Sequence, residues 1–373
     1  MLTSWPVRMG PPTLSSMKAL SDLESLRSKL LKHFDQHRRE LPWRETSEPY
    51  GVWVSEIMLQ QTRVETAVPY FRRWMDRFPS VKELADADEE DVLKAWEGLG
   101  YYSRARNLHR SARTVREELN GVIPTDAAAL RTLPGIGEYS AGAIASIAFR
   151  EATPAVDGNA RRVLSRLFDL VDPKPGMLRV KAAAVLEVSR PGDWNQAVME
   201  LGATICLPRN PRCAECPVVA HCVAQSNGTQ HSRPGTKRRT PVREATFAVL
   251  VAASGLDEFL LVRRPPDGML GGLWEFPAVE IDDQDGLPEA CSEVAAGLGI
   301  VSPTRVGWSP LPPVRHIFSH LRALYRPLLT VLADRATAPG DAMRWAGPAE
   351  LESLPLPVAQ RKILALARAE LGE

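Results

Sequence analysis

The stretch from Leu133 to Asp157 constrains this chain more than any other. Leu133-Pro134-Gly135-Ile136-Gly137-Glu138-Tyr139 leads into a small-residue helical segment, and Asp157-Gly158-Asn159 follows it. A Pro-Gly-x-Gly turn that opens a helix offers backbone N–H groups, with the helix dipole behind them, to an anion. An aspartate just past the end of that helix stands where it can stabilise positive charge on a sugar. Together they imply a chain that grips a nucleic-acid backbone and acts on a nucleotide. Read alone, a Gly-rich turn is also an ordinary helix cap, and Asp157 is also an ordinary turn and cap residue. The two readings are compatible, because a capped carboxylate is held rigidly.

The 373 residues suffice for two or three domains. No apolar run reaches the length of a membrane span, so no membrane partner is expected. Residues 1–20 read as a disordered tail with no secretory signal, and Met17 is a second candidate start. From residue 21 to 222 apolar residues recur at three- and four-residue spacing, as in Leu23, Leu26, Leu30 and Leu31. Further helices are predicted over 81–93, 105–119, 127–133, 141–149, 161–171, 180–188 and 195–206. Residues 223–244 are polar, basic and contain Pro and Gly, which predicts a linker and a place for a protein partner. Beyond it the period changes. Strands are predicted at Phe247–Val251, Phe259–Val262 and Trp274–Phe276, and helices at Leu287–Leu298 and Val358–Leu371, giving an α/β domain over 245–373.

Charge is divided along the same line. Residues 1–244 carry 35 Lys and Arg against 29 Asp and Glu, a net +6, while residues 245–373 carry 11 against 16, a net −5. Arg233, Lys237, Arg238, Arg239 and Arg243 supply much of the excess. A basic N-terminal part suits a polyanion, though a solvated linker has the same composition.

Cys206, Cys213, Cys216 and Cys222 form C-x6-C-x2-C-x5-C, and Cys291 stands apart as a small core residue. Four thiolates on short loops can enclose one metal centre, and the spacing alone leaves structural zinc and an iron–sulfur cluster in competition. Val52-Trp53-Val54-Ser55-Glu56-Ile57-Met58-Leu59 places one acid inside an apolar segment. A buried carboxylate must find partners, face a cavity or take up a proton, and a raised pKa is what a general acid near neutral pH requires. Gln60, four residues on, is expected on the same helical face. On these grounds alone Glu56 reads as readily as a surface or cap residue.

The cysteine spacing at the end of a helical domain, and the hairpin Leu133–Gly137 with Asp157 twenty residues later, resemble the endonuclease III superfamily of helix-hairpin-helix DNA glycosylases. Ser55-Glu-Ile-Met-Leu-Gln-Gln-Thr62, Leu41-Pro-Trp-Arg44 and Gly98-Leu-Gly-Tyr-Tyr-Ser-Arg-Ala-Arg-Asn107 resemble the MutY-type adenine DNA glycosylases within it. The resemblance implies a mainly α glycosylase domain with an iron–sulfur cluster loop, joined to a C-terminal α/β Nudix-like domain. It implies one structural [4Fe–4S] cluster on the four cysteines. It implies removal of adenine from double-stranded DNA in which adenine faces 8-oxoguanine or guanine. Glu56 would protonate the base, Asp157 would stabilise or transiently bond the sugar cation, and Tyr139 and Asn159 would orient them. Arg39, Trp43, Arg44 and Gln196 match adenine-pocket positions, and Gln61 and Tyr101 match residues that wedge into the duplex. Gln60, Thr62, Gly135 and Gly137 belong to the same DNA-facing motifs.

Lyase-type relatives carry lysine where this chain has Tyr139, and a phenol cannot form an imine, so base removal without efficient strand cleavage is implied. Gly271-Gly-Leu-Trp-Glu-Phe-Pro277 resembles a Nudix strand and turn. The Arg-Glu-x-x-Glu-Glu metal helix of Nudix hydrolases is reduced to Glu289 and Glu293, so hydrolysis there is rejected and the fold kept. Phe318-Ser319-His320 matches the loop with which MutY proteins recognise 8-oxoguanine. An endonuclease III-type lyase and a non-catalytic lesion sensor are the alternatives; Tyr139 opposes the first, and Glu56 with Asp157 the second. A monomer in a bacterial cytoplasm is expected.

Overall fold

The structure, a computed structural model, describes residues 14–45, 48–235, 241–255, 257–282, 286–300, 307–332 and 342–372. The helices, in chain order, are α1 Leu14–His37, α2 Pro49–Met58, α3 Val64–Arg77, α4 Val81–Asp86, α5 Glu89–Ala95, α6 Ser103–Glu118 and α7 Ala127–Leu130. They continue with α8 Glu138–Phe149, α9 Gly158–Leu167, α10 Pro175–Val185, α11 Pro191–Thr204, α12 Val223–Ser226, α13 Leu287–Gly297, α14 Pro348–Ser353 and α15 Val358–Leu371. The strands are β1 Arg243–Ser254, β2 Glu258–Arg263, β3 Trp274–Glu275, β4 Ala278–Ile281, β5 Ser309–Pro310, β6 Val314–Ile317, β7 Leu321–Leu332 and β8 Met343–Ala346. Among the described residues no helix is long and apolar enough to cross a membrane.

The chain divides into two compact units, one holding the described residues within Met1–Gln60 and Val122–Lys237, the other those within Gln61–Gly121 and Arg238–Glu373. The first unit is helical. Leu26, Leu30, Leu31 and Phe34 of α1 recur at helical spacing and bury against α9, α10 and α11. Its helix starts are set by local chemistry: Pro49 opens α2 behind Glu48, whose carboxylate accepts from Gly51 N–H at 2.8 Å. Asp126 caps α7 in the same way.

In the second unit, β1 pairs with β7 in parallel along its whole length, with β6 running back antiparallel beside β7 and β2, β3, β4 and β8 completing a mixed sheet. Alternation along β1 sends Val249, Val251 and Ala253 to a core shared with α14 and α15, and Ala248, Leu250 and Ala252 to one shared with α13. Cys291 of α13 is fully buried in the second of these cores. Helices α3 to α6 belong to this unit too. Trp274 donates from Nε1 to Glu90 at 2.8 Å, Arg361 grips both oxygens of Glu97, and Arg106 reaches the carbonyl of Gly271.

Several expectations need correction. Helix α1 begins at Leu14, inside the expected tail, since no proline follows Pro12 to interrupt it. The helix expected over 81–93 is two, because Ala87 and Asp88 are extended and Glu89, Glu90 and Asp91 favour the start of a new helix. Gln60 lies beyond the end of α2 rather than on its face. The expected linker starts as helix α12 and is tied down: Asn227, Thr229 and Arg233 all donate to the carboxylate of Asp169. Lys237, Arg238 and Arg239 lie outside the described residues.

Candidate active site

Glu56 sits in the last turn of α2, whose residues from Tyr50 to Met58 are all buried, and is itself 6% exposed. It meets one donor across the unit: Tyr139, in the first turn of α8, gives its hydroxyl to Glu56 Oε2 at 2.6 Å. Burial pushes the Glu56 carboxyl up from 4.5 to about 7, and nearby Asp157 adds to the rise, while the Tyr139 hydrogen bond and Arg44 oppose it. The Tyr139 phenol is held well above its ordinary value by burial and by the two carboxylates. The Tyr139 hydroxyl also lies 3.5 Å from Met199 Sδ.

Asp157 is the N-cap of α9. Its Oδ1 accepts from Ala160 N–H at 2.6 Å and its Oδ2 from Asn159 Nδ2 at 2.9 Å. Asn159 Oδ1 in turn accepts from Arg162, which also holds the carbonyls of Gly202 and Cys206. Burial raises the Asp157 carboxyl although these donors and Arg162 pull it down. The structure thus brings Glu56, Tyr139, Asp157 and Asn159 together: a carboxyl that holds its proton to near neutrality beside a second carboxyl fixed by two donors. That arrangement can donate a proton on one side and stabilise a cation on the other.

Arg39 and Arg44 converge on a residue that sequence reasoning missed. Glu200, 7% exposed in α11, receives Arg39 at 2.7 and 3.0 Å and Arg44 at 3.0 Å. These two cations hold its carboxyl below the usual range against burial. Arg44 also donates to Gln196 Oε1 at 3.0 Å. Trp43, Arg44 and Gln196 line a cavity of about 380 Å³ with Arg38, Arg150 and Arg190. Glu56, Tyr139 and Asp157 do not line it. Glu200 shows much the same signal as Glu56, an acid among apolar residues of a helix, but its partners lie some 160 residues away in sequence.

In the hairpin, Gly135 takes φ +78° and Gly137 is the N-cap of α8; both are exposed. Gln60 donates to Ser140 Oγ at 3.0 Å, which fixes the end of α2 to α8. In the second unit Gln61 and Tyr101 are both exposed and both left-handed, at φ +58° and +49°. Such conformations cost energy outside glycine and persist where the surroundings enforce them. Arg104 braces the residues beside them, donating to Thr62 Oγ1, Leu99 O and Gly100 O at 3.0 to 3.2 Å. Phe318, Ser319 and His320 form the turn between β6 and β7, with Phe318 half-buried and the other two exposed. Glu289 and Glu293 are exposed on α13.

The four cysteines follow α11, all half-buried, and none is in a disulfide. Burial raises Cys216 to about 11, and the charges of Cys206, Cys213 and Cys222 add to the rise. Arg166, fully buried, donates to Cys206 Sγ at 3.2 Å and to the carbonyls of Leu207 and Pro208. The donor set therefore fits a thiolate-bound centre in chemistry and charge. Among the described residues no three such groups stand in closed ligand geometry.

A family model described as HhH-GPD superfamily base excision DNA repair protein matches residues 54–187, and a NUDIX domain model matches residues 248–366. The chain is 37% identical over 410 aligned positions to the adenine DNA glycosylase of Mus musculus, covering 92% of this chain and 78% of that protein. It is 36% identical to the adenine DNA glycosylase of Homo sapiens, covering 92% and 74%. A solved thermostable thymine-DNA glycosylase superposes with TM-score 0.53 and 25% identity over 56% of this chain and 99% of its own.

Proposed function

The chain belongs to the adenine DNA glycosylase family, and on that premise we propose that it excises adenine standing opposite 8-oxoguanine or guanine by a two-carboxylate mechanism. It is a base-excision-repair enzyme that hydrolyses an N-glycosyl bond and acts on DNA. The observation that carries the mechanism is the Tyr139–Glu56 contact beside Asp157.

The adenine leaves the stack before its glycosidic bond can be reached. Glu56, still protonated near neutrality, gives its proton to adenine N7 and makes the base a better leaving group. Cleavage leaves oxocarbenium character on the deoxyribose, and Asp157, fixed by Ala160 N–H and Asn159, stabilises it or bonds to it transiently. Glu56, now ionised and still accepting from Tyr139, then assists water, as in retaining glycosidases. Because position 139 carries a phenol, no Schiff base forms and the strand is left intact. Gln61 and Tyr101 wedge beside the lesion, while Ser319 and His320 bond the opposite 8-oxoguanine and Phe318 packs against the bases. Gly135 and Gly137 present their N–H groups to a phosphate.

Cys206, Cys213, Cys216 and Cys222 are proposed to hold one [4Fe–4S] cluster. With all four positions filled by cysteine its role is structural, tying the loop after α11 to α9 through Arg166.

Glu56→Gln and Asp157→Asn test the reading in single-turnover release from duplex with adenine opposite 8-oxoguanine. Each is expected to lose at least about a hundredfold, the lower range for positioned acid–base catalysis. Near-normal release by either folded variant would remove that residue from its role.

A further inference from the structure

Helix α15, near the end of the chain, reaches two places far apart in sequence. On one side Arg361 holds Glu97, with Nε at 2.7 Å from Oε1 and Nη2 at 3.1 Å from Oε2. Lys94 joins the pair at 3.0 Å from Glu97 Oε2, and Arg361 also donates to the carbonyls of Leu351 and Leu354. Glu97 is the root of the loop that carries Tyr101. Its carbonyl accepts from Tyr70 Oη at 2.9 Å, and a side chain on the next residue, Gly98, would put its Cβ 2.3 Å from that same hydroxyl. Gly98 N–H donates to Tyr102 Oη at 3.2 Å, and Arg104 closes the far end of the loop. Tyr101, 42% exposed, is thus presented by a loop pinned at both ends.

On its other side α15 packs against β6. Ala359, Ile363, Leu364 and Ala367 bury in one core with Val314 of β6 and Leu321 of β7, and Phe318 leans on that core. The turn itself is short and tied: Phe318 N–H donates to Leu321 O at 2.7 Å, and the rings of His316 and Phe318 lie 4.4 Å apart. One rigid helix therefore spans from the base of the Tyr101 loop to the base of the 318–320 turn.

We propose that α15, through the Arg361–Glu97 pair, fixes the Tyr101 loop and the Phe318–His320 turn in register with each other. Arg361 and Glu97 are then positioning residues for opposite-base preference, without touching DNA. The inference rests on reading Ser319 and His320 as contacts to 8-oxoguanine and Tyr101 as a wedge beside it. Two contacts on one lesion must agree to a fraction of an ångström, which only a stiff connection can guarantee.

The test compares single-turnover release of adenine opposite 8-oxoguanine and opposite guanine, using the full chain, in Arg361→Gln, Glu97→Gln and the exchanged pair Arg361→Glu with Glu97→Arg. Either single variant is expected to lose about fivefold in preference for 8-oxoguanine, with release opposite guanine within about twofold of the parent. The exchanged pair is expected to regain part of that preference. Arg361→Lys, which keeps a charge but loses the fork, should fall between and guards against a misfolded Gln variant. An unchanged preference in both single variants overturns the proposal, and so does a proportionate fall on both substrates, which a merely structural role would give. Ser319→Ala with His320→Ala runs in parallel. If that pair keeps its preference, the reading of the turn fails; if it loses it while Arg361→Gln does not, only the coupling fails.

Discussion

Burial keeps Glu56 protonated over a range in which an exposed glutamate is ionised, because its carboxyl rises from 4.5 to about 7. The folded state therefore binds more protons than the unfolded state between those values, so stability falls as pH rises through the window. Above pH 7 the loss is complete, at about 3 kcal/mol. Glu56→Gln, which has no charge to bury, should be more stable than the parent by up to about 3 kcal/mol at pH 8 and equal to it near pH 4. Urea unfolding at the two pH values checks this; an equal gain at both would mean that charge burial is not the cause. Activity should follow the same group. Release that needs the Glu56 proton falls as pH rises through about 7, and release that needs ionised Asp157 falls on the acid side, below the raised pKa of that group.

Among the elements, α11 organises the site. Its Gln196 and Glu200 receive Arg39 and Arg44, and Asn195 ties it to Ser146 and to the backbone at Thr153 and Ala155. Where it crosses α9 only glycine fits. A Cβ on Gly202 would stand 2.6 Å from Asn159 Cβ and 3.1 Å from Asn159 backbone atoms. Gly202→Ala should therefore displace Asn159 and the Asp157 cap together, costing about 1–3 kcal/mol of stability and a larger share of base release. Gly176→Ala, where a Cβ meets nothing within 4 Å, should leave release unchanged. Equal behaviour of the two in single-turnover assays would count against a packing role for α11. Glu56 was legible in the sequence because an acid inside an apolar run must be explained, and Asp157 because a cap follows a small-residue helix. Glu200 was as visible in pattern, but its meaning depends on Arg39 and Arg44, which only the tertiary fold brings near. The break at Ala87 escaped periodicity because the acids after it read equally as an exposed helix face. The role of Arg104 escaped as well, since a cation in a basic helix gives no sign that it will be buried under two loops.

At the scale of the whole molecule, the chain leaves its first unit between Gln60 and Gln61 and returns at Val122, so helices α3 to α6 are built with the C-terminal sheet rather than with Glu56 and Asp157. Composition could not reveal this, for the helical period runs unbroken in kind from residue 21 to 222 and suggests one body. Polar contacts join α5 to the sheet: Glu90 accepts from the fully buried Trp274 at 2.8 Å and lies 3.9 Å from Arg344, while Arg263 lies 3.7 Å from Glu89. The Coulomb part of these half-exposed pairs is small. The larger part is the indole N–H, which would be buried without an acceptor if Glu90 were truncated. Glu90→Ala should then cost about 1–3 kcal/mol, and Glu90→Gln, which keeps an acceptor, clearly less. Hydrogen exchange locates the effect. In Glu90→Ala, protection should fall together in residues 89–106 and 263–275, because each segment is the other's cover. A fall confined to one of them would show that the two sequence segments do not share one cooperative unit.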